Sequence, residues 1–211
     1  MGKQIAVITA NLNNFEKMAE PVPQSVDFAF YRFTDNNFPP RSKAMTPRLQ
    51  ARIVKCFGWQ MIPSHEYYLW VDSSVQLGNE DSIKWFVEQL GEADVAVMRH
   101  PNRKTIQDEA LYLKERLKKK CRYITQRYKG ELIDEQMAEI NNPRLPLYAT
   151  TALIYRNTYD VQKMMKEWWY HISRYHTIDQ LSLPHVLEES PLEVNVIPDS
   201  FLDTPYLIHT R

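Results

Sequence analysis

Residues 67–77 read Tyr67-Tyr68-Leu69-Trp70-Val71-Asp72-Ser73-Ser74-Val75-Gln76-Leu77. Five apolar or aromatic residues stop abruptly at a carboxylate, and two small hydroxyl residues follow. This is the composition of a strand buried on both faces, and its end delivers Asp72 to the C-terminal edge of a sheet. Open α/β sheets take up nucleotides and phosphates at that edge. A carboxylate so close to a core demands a partner, because an unpaired buried charge is prohibitive. The plain alternative is that Asp72 caps a helix or joins a loop ion pair.

Outward from this strand the period of the apolar residues alternates. Residues 5–10 and 28–33 read as strands, each ended by a polar cluster, Asn11 to Asn14 and Thr34 to Asn37. Pro39-Pro40 blocks regular structure. From 47 to 57 the period turns helical, with Leu49, Ile53 and Cys56 on one face, Thr46 as N-cap and Pro47 in the first turn. Further helices are predicted over 81–90, 106–129, around Ile133, Met137 and Ile140, and over 161–175. Further strands are predicted over 95–98, 148–155 and 194–197. Helices alternating with strands predict an α/β fold with a mostly parallel central sheet covered by helices on both faces. With five glycines and no low-complexity stretch, residues 1–211 are expected to form one domain.

Composition excludes several classes. Of 211 residues 44% are hydrophobic, which supports a sizeable core. Lys plus Arg and Asp plus Glu number 26 each, so no global field selects nucleic acid or an anionic membrane. Two distant cysteines, Cys56 and Cys121, argue against a disulfide framework and suit a reducing compartment. The lead-in Met1-Gly2-Lys3-Gln4 has no signal-peptide character and no apolar run spans a bilayer. The expectation is a soluble, cytoplasmic protein.

Candidate site residues cluster at predicted strand ends. Asp35 follows the second strand, where a carboxylate reads a base or ribose or simply opens a turn. No glycine-rich phosphate loop is present, so a bound diphosphate needs side chains and a cation. Arg48, Arg52 and Lys55 recur at i, i+4 and i+7, opposite the Leu49 face, either as that cluster or as a solvated basic face. His100 and Arg103 follow the fourth strand. Asp179-Gln180 follows the helix carrying Trp168-Trp169. A carboxylate and an amide beside aromatic rings suit sugar recognition, although Thr177 or Asp179 also suits a short helix cap. His209 gains interest if the tail folds back over the sheet edge.

The order of these pieces resembles the GT-A (Rossmann-like) fold of nucleotide-sugar glycosyltransferases. More closely, it resembles the glycosyltransferase-like domain of plant and bacterial proteins long filed as a domain of unknown function. The resemblance rests on Trp70 to Leu77, Arg99-His100-Pro101 with Arg103, Asp134-Glu135-Gln136, Pro146-Leu147-Tyr148 leading into Thr150-Thr151, Ile154 to Asn157, and Asp179 to Ser182. It covers most of the chain. It implies a sugar donor linked to a nucleoside diphosphate, with uridine expected, and an acceptor hydroxyl on a glycan. Asp72 takes the place of the first carboxylate of the D-x-D motif, which with Mn²⁺ or Mg²⁺ holds the donor diphosphate. The sequence here is Asp-Ser-Ser, so the second carboxylate is missing and ligation shifts to Ser74 and His209. Thr9, Asn11, Asp35, Arg48, Arg52 and Ser73 are implied on the donor side, and His100, Arg103, Thr150 and Thr151 on the sugar or acceptor side. Asp179, with Gln180 beside it, is implied as the catalytic pair, Asp179 as general base.

Two rival readings stand beside this one. The altered D-x-D motif fits a module that binds glycan or nucleotide without turnover. The basic residues of the predicted 106–129 helix (Lys114, Lys118, Lys119, Lys120, Arg122, Arg127 and Lys129), interleaved with Tyr123 and Tyr128, fit a phosphate backbone. The acceptor would then be a modified nucleic-acid base. Their plain reading is a solvated helix face.

Overall fold

The computed structural model describes residues 4–14 and 20–209; the lead-in Met1-Gly2-Lys3 lies outside them. The elements run β1 (Ile5–Asn11), β2 (Ala29–Thr34), α1 (Pro47–Met61), β3 (Tyr67–Val71), β4 (Val75–Leu77), α2 (Ser82–Leu90), β5 (Val95–Arg99) and α3 (Ile106–Lys118). They continue with α4 (Arg122–Tyr128), α5 (Ile133–Glu139), β6 (Tyr148–Arg156), α6 (Tyr159–Arg174), α7 (Asp179–Glu188), β7 (Val194–Ile197) and β8 (Leu207–His209). Among the described residues six strands form the main sheet, in the order β2-β1-β3-β6-β5-β7. β1 pairs in parallel with β2 and β3, and β5 in parallel with β7. β6 alone is reversed, antiparallel to both β3 and β5. The sheet is therefore the mostly parallel one expected, with one inverted central strand. That inversion brings the start of β6 to the same edge as the ends of β1 and β3.

Alternation along each strand sends neighbouring side chains to opposite faces. Ala6, Ile8, Tyr68, Trp70, Leu153 and Tyr155 pack beneath α1, α6 and α7. Val7, Leu69, Val71, Ala152 and Ile154 pack against α2 and the small β4–β8 pair. A third cluster, with Ile106, Leu113, Ile124 and Ile133, joins α3, α4 and α5 to Ile178 and Leu181 at the start of α7. This outlying layer positions one wall of the site.

Three local predictions need correction. The helix expected over 106–129 is two helices. Lys120 adopts a left-handed φ of 52°. Cys121 N donates to Arg116 O at 2.9 Å and Lys120 N to Leu117 O at 3.0 Å. These are the two bonds of a Schellman stop, made with lysine where glycine is usual, so the sequence carries no breaker signal. The basic stripe is thereby divided. Lys114 pairs with Asp134, Lys119 with Glu115, and Arg127 stacks on Tyr123. No continuous track for a phosphate backbone results. Second, α1 runs on to Met61 across a kink at Phe57. Third, α7 is a full helix despite Pro184, and it is buried on nearly every side, so no amphipathic period announces it.

Among the described residues no helix is long and apolar enough to cross a membrane.

Candidate active site

A cleft of about 620 Å³ opens where β1, β3 and β6 meet the starts of α1 and α7. The volume falls in the range of about 300–1,000 Å³ usual for small-molecule sites. Its floor and walls come from Asn11, Arg48, Arg52, Trp70, Asp72, Ser73, Ser74, Thr150, Thr151, Asp179, Gln180 and His209. The sequence scatters these residues over some two hundred positions. The strand order gathers them.

Asp72 leaves β3 at the head of a turn: its backbone N donates to Thr151 O, and its own carbonyl accepts from Val75 N, both near 2.9 Å. Trp70 Nε1 donates to Asp72 Oδ1 at 2.8 Å. The carboxylate is 31% exposed and faces the cleft. After the turn, β4 pairs with the C-terminal β8, and the register sets His209 opposite Val75, one residue beyond Ser74. The tail thus folds back to the sheet edge, and Asp72, Ser74 and His209 share one cleft. Ser74 is buried.

α1 starts as predicted, with Thr46 Oγ1 accepting from Leu49 N and Pro47 in the first turn. Its basic residues do not form a solvated face. Lys55 is fully buried, and its Nζ donates to Asp179 Oδ2 at 2.6 Å and to Thr150 O at 2.5 Å. The ammonium also lies 5.2 Å from the Trp70 ring centre and 5.5 Å from that of Trp168. Arg52 contacts the same Asp179 oxygen at 3.2 Å. Asp72 Oδ1 is 3.7 Å from Lys55 and 3.9 Å from Arg52. Arg48 reaches outward, donating to the Tyr128 hydroxyl at 2.8 Å with its guanidinium 5.0 Å from the ring centre.

Asp179 is consequently saturated. Oδ1 accepts from Thr150 Oγ1 at 2.8 Å, and Oδ2 serves Lys55 and Arg52. Burial alone raises its pKa, but Arg52, Lys55 and Thr150 outweigh burial and hold it below the usual carboxylate range. A carboxylate so stabilised is a weak base. The neighbouring Trp168 does not offer a sugar platform either: it is buried, and its Nε1 donates to Asp179 O at 3.0 Å.

Four expected site residues stand back from the cleft. Asp35 accepts Asn13 N on both oxygens at 3.0 Å, tying the end of β2 to the loop after β1. Thr9 faces a separate small cavity with Val7, Phe30 and Val71. His100 and Arg103 reach the cleft through others. Arg103 pairs with Glu109, and Glu109 accepts from Gln180 Nε2 at 2.6 Å. Burial and Arg103 push His100 down to about 4, so it is neutral. The sequence did not place the α4 wall, Tyr123, Gln126, Arg127 and Tyr128, in the cleft: read as part of one helix over 106–129, Tyr123, Arg127 and Tyr128 fell in the stripe considered for a phosphate backbone.

A cation bound here would draw on Asp72 and His209. Among the described residues no three His, Cys, Asp or Glu side chains converge as a metal cage. Divalent cations at phosphate sites are commonly held by one or two protein groups plus the phosphates themselves. A partly exposed carboxylate and an imidazole lining one cleft fit that arrangement, the carboxylate as a hard oxygen donor and the imidazole as a borderline nitrogen donor that suits Mn²⁺ better than Mg²⁺.

The family model that matches is the TOD1/MUCI70 glycosyltransferase-like domain, over residues 42–206. The chain belongs to the TOD1/MUCI70 glycosyltransferase-like family. That match takes in every cleft residue named above except Asn11 and His209. Among solved structures, the apo form of the bifunctional glycosyltransferase WbbM superposes with a TM-score of 0.52 at 12% identity. It covers 94% of this chain and 39% of its own. A glycosyltransferase involved in glycosylation of the major capsid of PBCV-1 gives 0.49 at 10% identity, over 92% of this chain and 82% of that one. The galactosyltransferase LgtC, in complex with donor and acceptor sugar analogs, gives 0.43 at 10% identity, covering 90% and 72%. No curated protein sequence matches significantly. The chain is thus a glycosyltransferase-class enzyme of GT-A architecture.

Proposed function

We propose that this TOD1/MUCI70 domain, taken as one catalytic unit, transfers a sugar from a nucleoside-diphosphate donor to an acceptor hydroxyl. Uridine is the expected base, and Mn²⁺ or Mg²⁺ the expected cation. The observation that carries the reading is the convergence in one cleft of Asp72 and His209 with Arg48 and Arg52. A diphosphate bound there meets charge-assisted donors and, beside them, the groups that would hold a cation.

The chemistry follows from where charge develops. Cleaving the sugar–phosphate bond builds negative charge on the departing diphosphate, and preorganised cations lower that barrier. A divalent cation, when bound, supplies further charge compensation to the same phosphates. Arg48 is braced by Tyr128 and Arg52 by Asp179, so both present charge without reorganising. Asn11, at the end of β1, and Asn13, held by Asp35, lie on the nucleoside side. Thr151 and Gln180 lie towards the transferred sugar. We assign Asp179 the role of anchoring Arg52 and Lys55 rather than that of taking the acceptor's proton, because both of its oxygens are already engaged; the proton passes to the departing diphosphate, on which negative charge builds as its bond to the sugar breaks.

The test is release of nucleoside diphosphate from a panel of uridine, guanosine and cytidine diphosphate sugars, with and without Mn²⁺ or Mg²⁺. Cation-stimulated release from one donor class supports the reading. Tight donor binding with no release from any donor, whatever acceptor is supplied, reduces the domain to a binding module.

A further inference from the structure

Gln180 lines the cleft, yet the polarity of its amide is set from behind. Its Nε2 donates to Glu109 Oε1 at 2.6 Å. Glu109 lies on α3 and is 2% exposed. Its other oxygen, Oε2, is paired with Arg103 Nε. Arg103 in turn stacks over the Tyr112 ring at 4.3 Å and approaches His100 Nε2 at 3.1 Å. A carboxylate held by a guanidinium accepts hydrogen bonds and donates none. The amide of Gln180 must therefore turn its nitrogen towards Glu109. The carbonyl oxygen Oε1 is then the end left to the cleft.

We propose that Glu109, backed by Arg103, is a positioning residue that presents Gln180 to the bound sugar as a hydrogen-bond acceptor, so that the site selects a sugar hydroxyl at that point. This rests on the reading that the cleft holds a nucleotide sugar. It gives Arg103 a part in sugar recognition although it does not line the cleft: burial raises the pKa of Glu109, and Arg103 opposes that rise and holds the carboxylate in place, with His100 against Arg103 on its other side. It also accounts for a carboxylate, Glu109, buried where α3 meets α7, a seam that a purely apolar contact would have joined at lower desolvation cost. An amide whose orientation is not fixed offers donor and acceptor equally. One fixed from behind discriminates between a hydroxyl and a group that lacks a hydrogen to donate, because the mismatched partner leaves a polar group unpaired.

The experiment compares affinity for a nucleotide sugar with affinity for the matching nucleoside diphosphate, by calorimetric titration, in wild type, Glu109→Gln, Gln180→Ala and the double variant Glu109→Gln/Gln180→Glu. An amide at 109 keeps its oxygen on Arg103 and turns its nitrogen to residue 180, so Glu109→Gln inverts Gln180 and puts its nitrogen in the cleft. The expected result is a loss of about tenfold in nucleotide-sugar affinity, the worth of one good hydrogen bond, with nucleoside diphosphate affinity unchanged. Gln180→Ala leaves the Arg103–Glu109 pair intact, so it serves if Glu109→Gln folds poorly; it gives the same selective loss. The double variant exchanges donor and acceptor across the pair, returns an oxygen to the cleft and recovers most of the affinity. A staple of purely structural importance would lower thermal stability and leave the two affinities moving together. Equal affinities in all variants, or a double variant no better than Glu109→Gln, overturn the proposal. Because the readout is binding, it is judged separately from turnover. A wild type that binds the sugar donor without releasing product refutes the transfer reading and leaves this one decided by the titrations.

Discussion

Lys55 Nζ stands 2.6 Å from Asp179 Oδ2, with both groups buried and 124 residues between them in sequence. The pair locks α1 to α7 directly beneath the cleft. Lys55 is also 3.7 Å from Asp72, so one ammonium lies between that carboxylate and the one at the head of α7. Arg52 repeats the pattern one turn earlier. The charged floor is therefore a structural unit first, with Asp179 as its buried counter-ion.

Asp179→Ala is accordingly expected to destabilise strongly. It strands two buried cations, and breaking a buried pair from one side costs about 3–5 kcal/mol. Urea unfolding followed by circular dichroism reads this directly. An unchanged midpoint would show that Lys55 and Arg52 find other partners, and the anchoring role would be wrong.

Asp72→Ala should behave differently. The Asp72 side chain is partly exposed and loses the bond from Trp70 Nε1, worth about 1 kcal/mol, together with long ion-pair contacts to Lys55 and Arg52, which Asp179 still neutralises. The expected outcome is a folded protein whose Mn²⁺-dependent affinity for nucleoside diphosphate drops at least about tenfold. Thermal shift with and without Mn²⁺ separates the two effects. Wild-type cation dependence in this variant would remove Asp72 from the site.

The tail supplies an independent arm. β8 is held against β4, and Tyr206 stacks on Trp85 with ring centres 4.6 Å apart. His209→Ala leaves that packing in place. It should lower cation-dependent donor binding while the melting temperature stays within about a degree or two, as for most surface changes. If donor binding without cation falls equally, His209 contacts the nucleotide rather than the ion.

Acid sensitivity has a defined origin. His176 is buried just before α7, and burial pushes its pKa from 6.5 to about 4. The folded state then binds fewer protons than the unfolded state between those values, so stability is complete above pH 6.5 and falls as the pH drops towards 4. The loss from this residue is of order 2–3 kcal/mol. Denaturant midpoints at pH 7 and pH 5 should differ in wild type, and the difference should shrink in His176→Gln. An identical pH dependence in that variant assigns the effect elsewhere.

Much of the site was legible because strand ends are legible. The apolar run before Asp72 announces both the central strand and the edge it reaches, and Thr46-Pro47 announces the start of α1. Asn11, Arg48, Arg52, Ser73, Ser74, Thr150, Thr151, Asp179, Gln180 and His209 all reach one cleft. What the sequence withheld was burial and long-range pairing. Nothing local distinguishes Lys55 as a buried lysine from a solvated one, since its compensating carboxylate lies on α7. The break at Lys120 escaped notice because lysine stands in the left-handed position. The resemblance implies Asp179 as a general base, and nothing along the chain beside it signals the cations from α1 that lower its pKa. His100 and Arg103 were read as direct contacts, whereas their route into the cleft runs through Glu109, a residue whose position in the sequence suits an ordinary helix first turn.

The most direct test is a crystal structure with uridine diphosphate and Mn²⁺. The account predicts the diphosphate in the cleft, its oxygens bonded to Arg48 or Arg52, with the ion bridging it to Asp72 and His209. A nucleotide seated elsewhere on the molecule, or an ion in the cleft with no contact to Asp72, would contradict it.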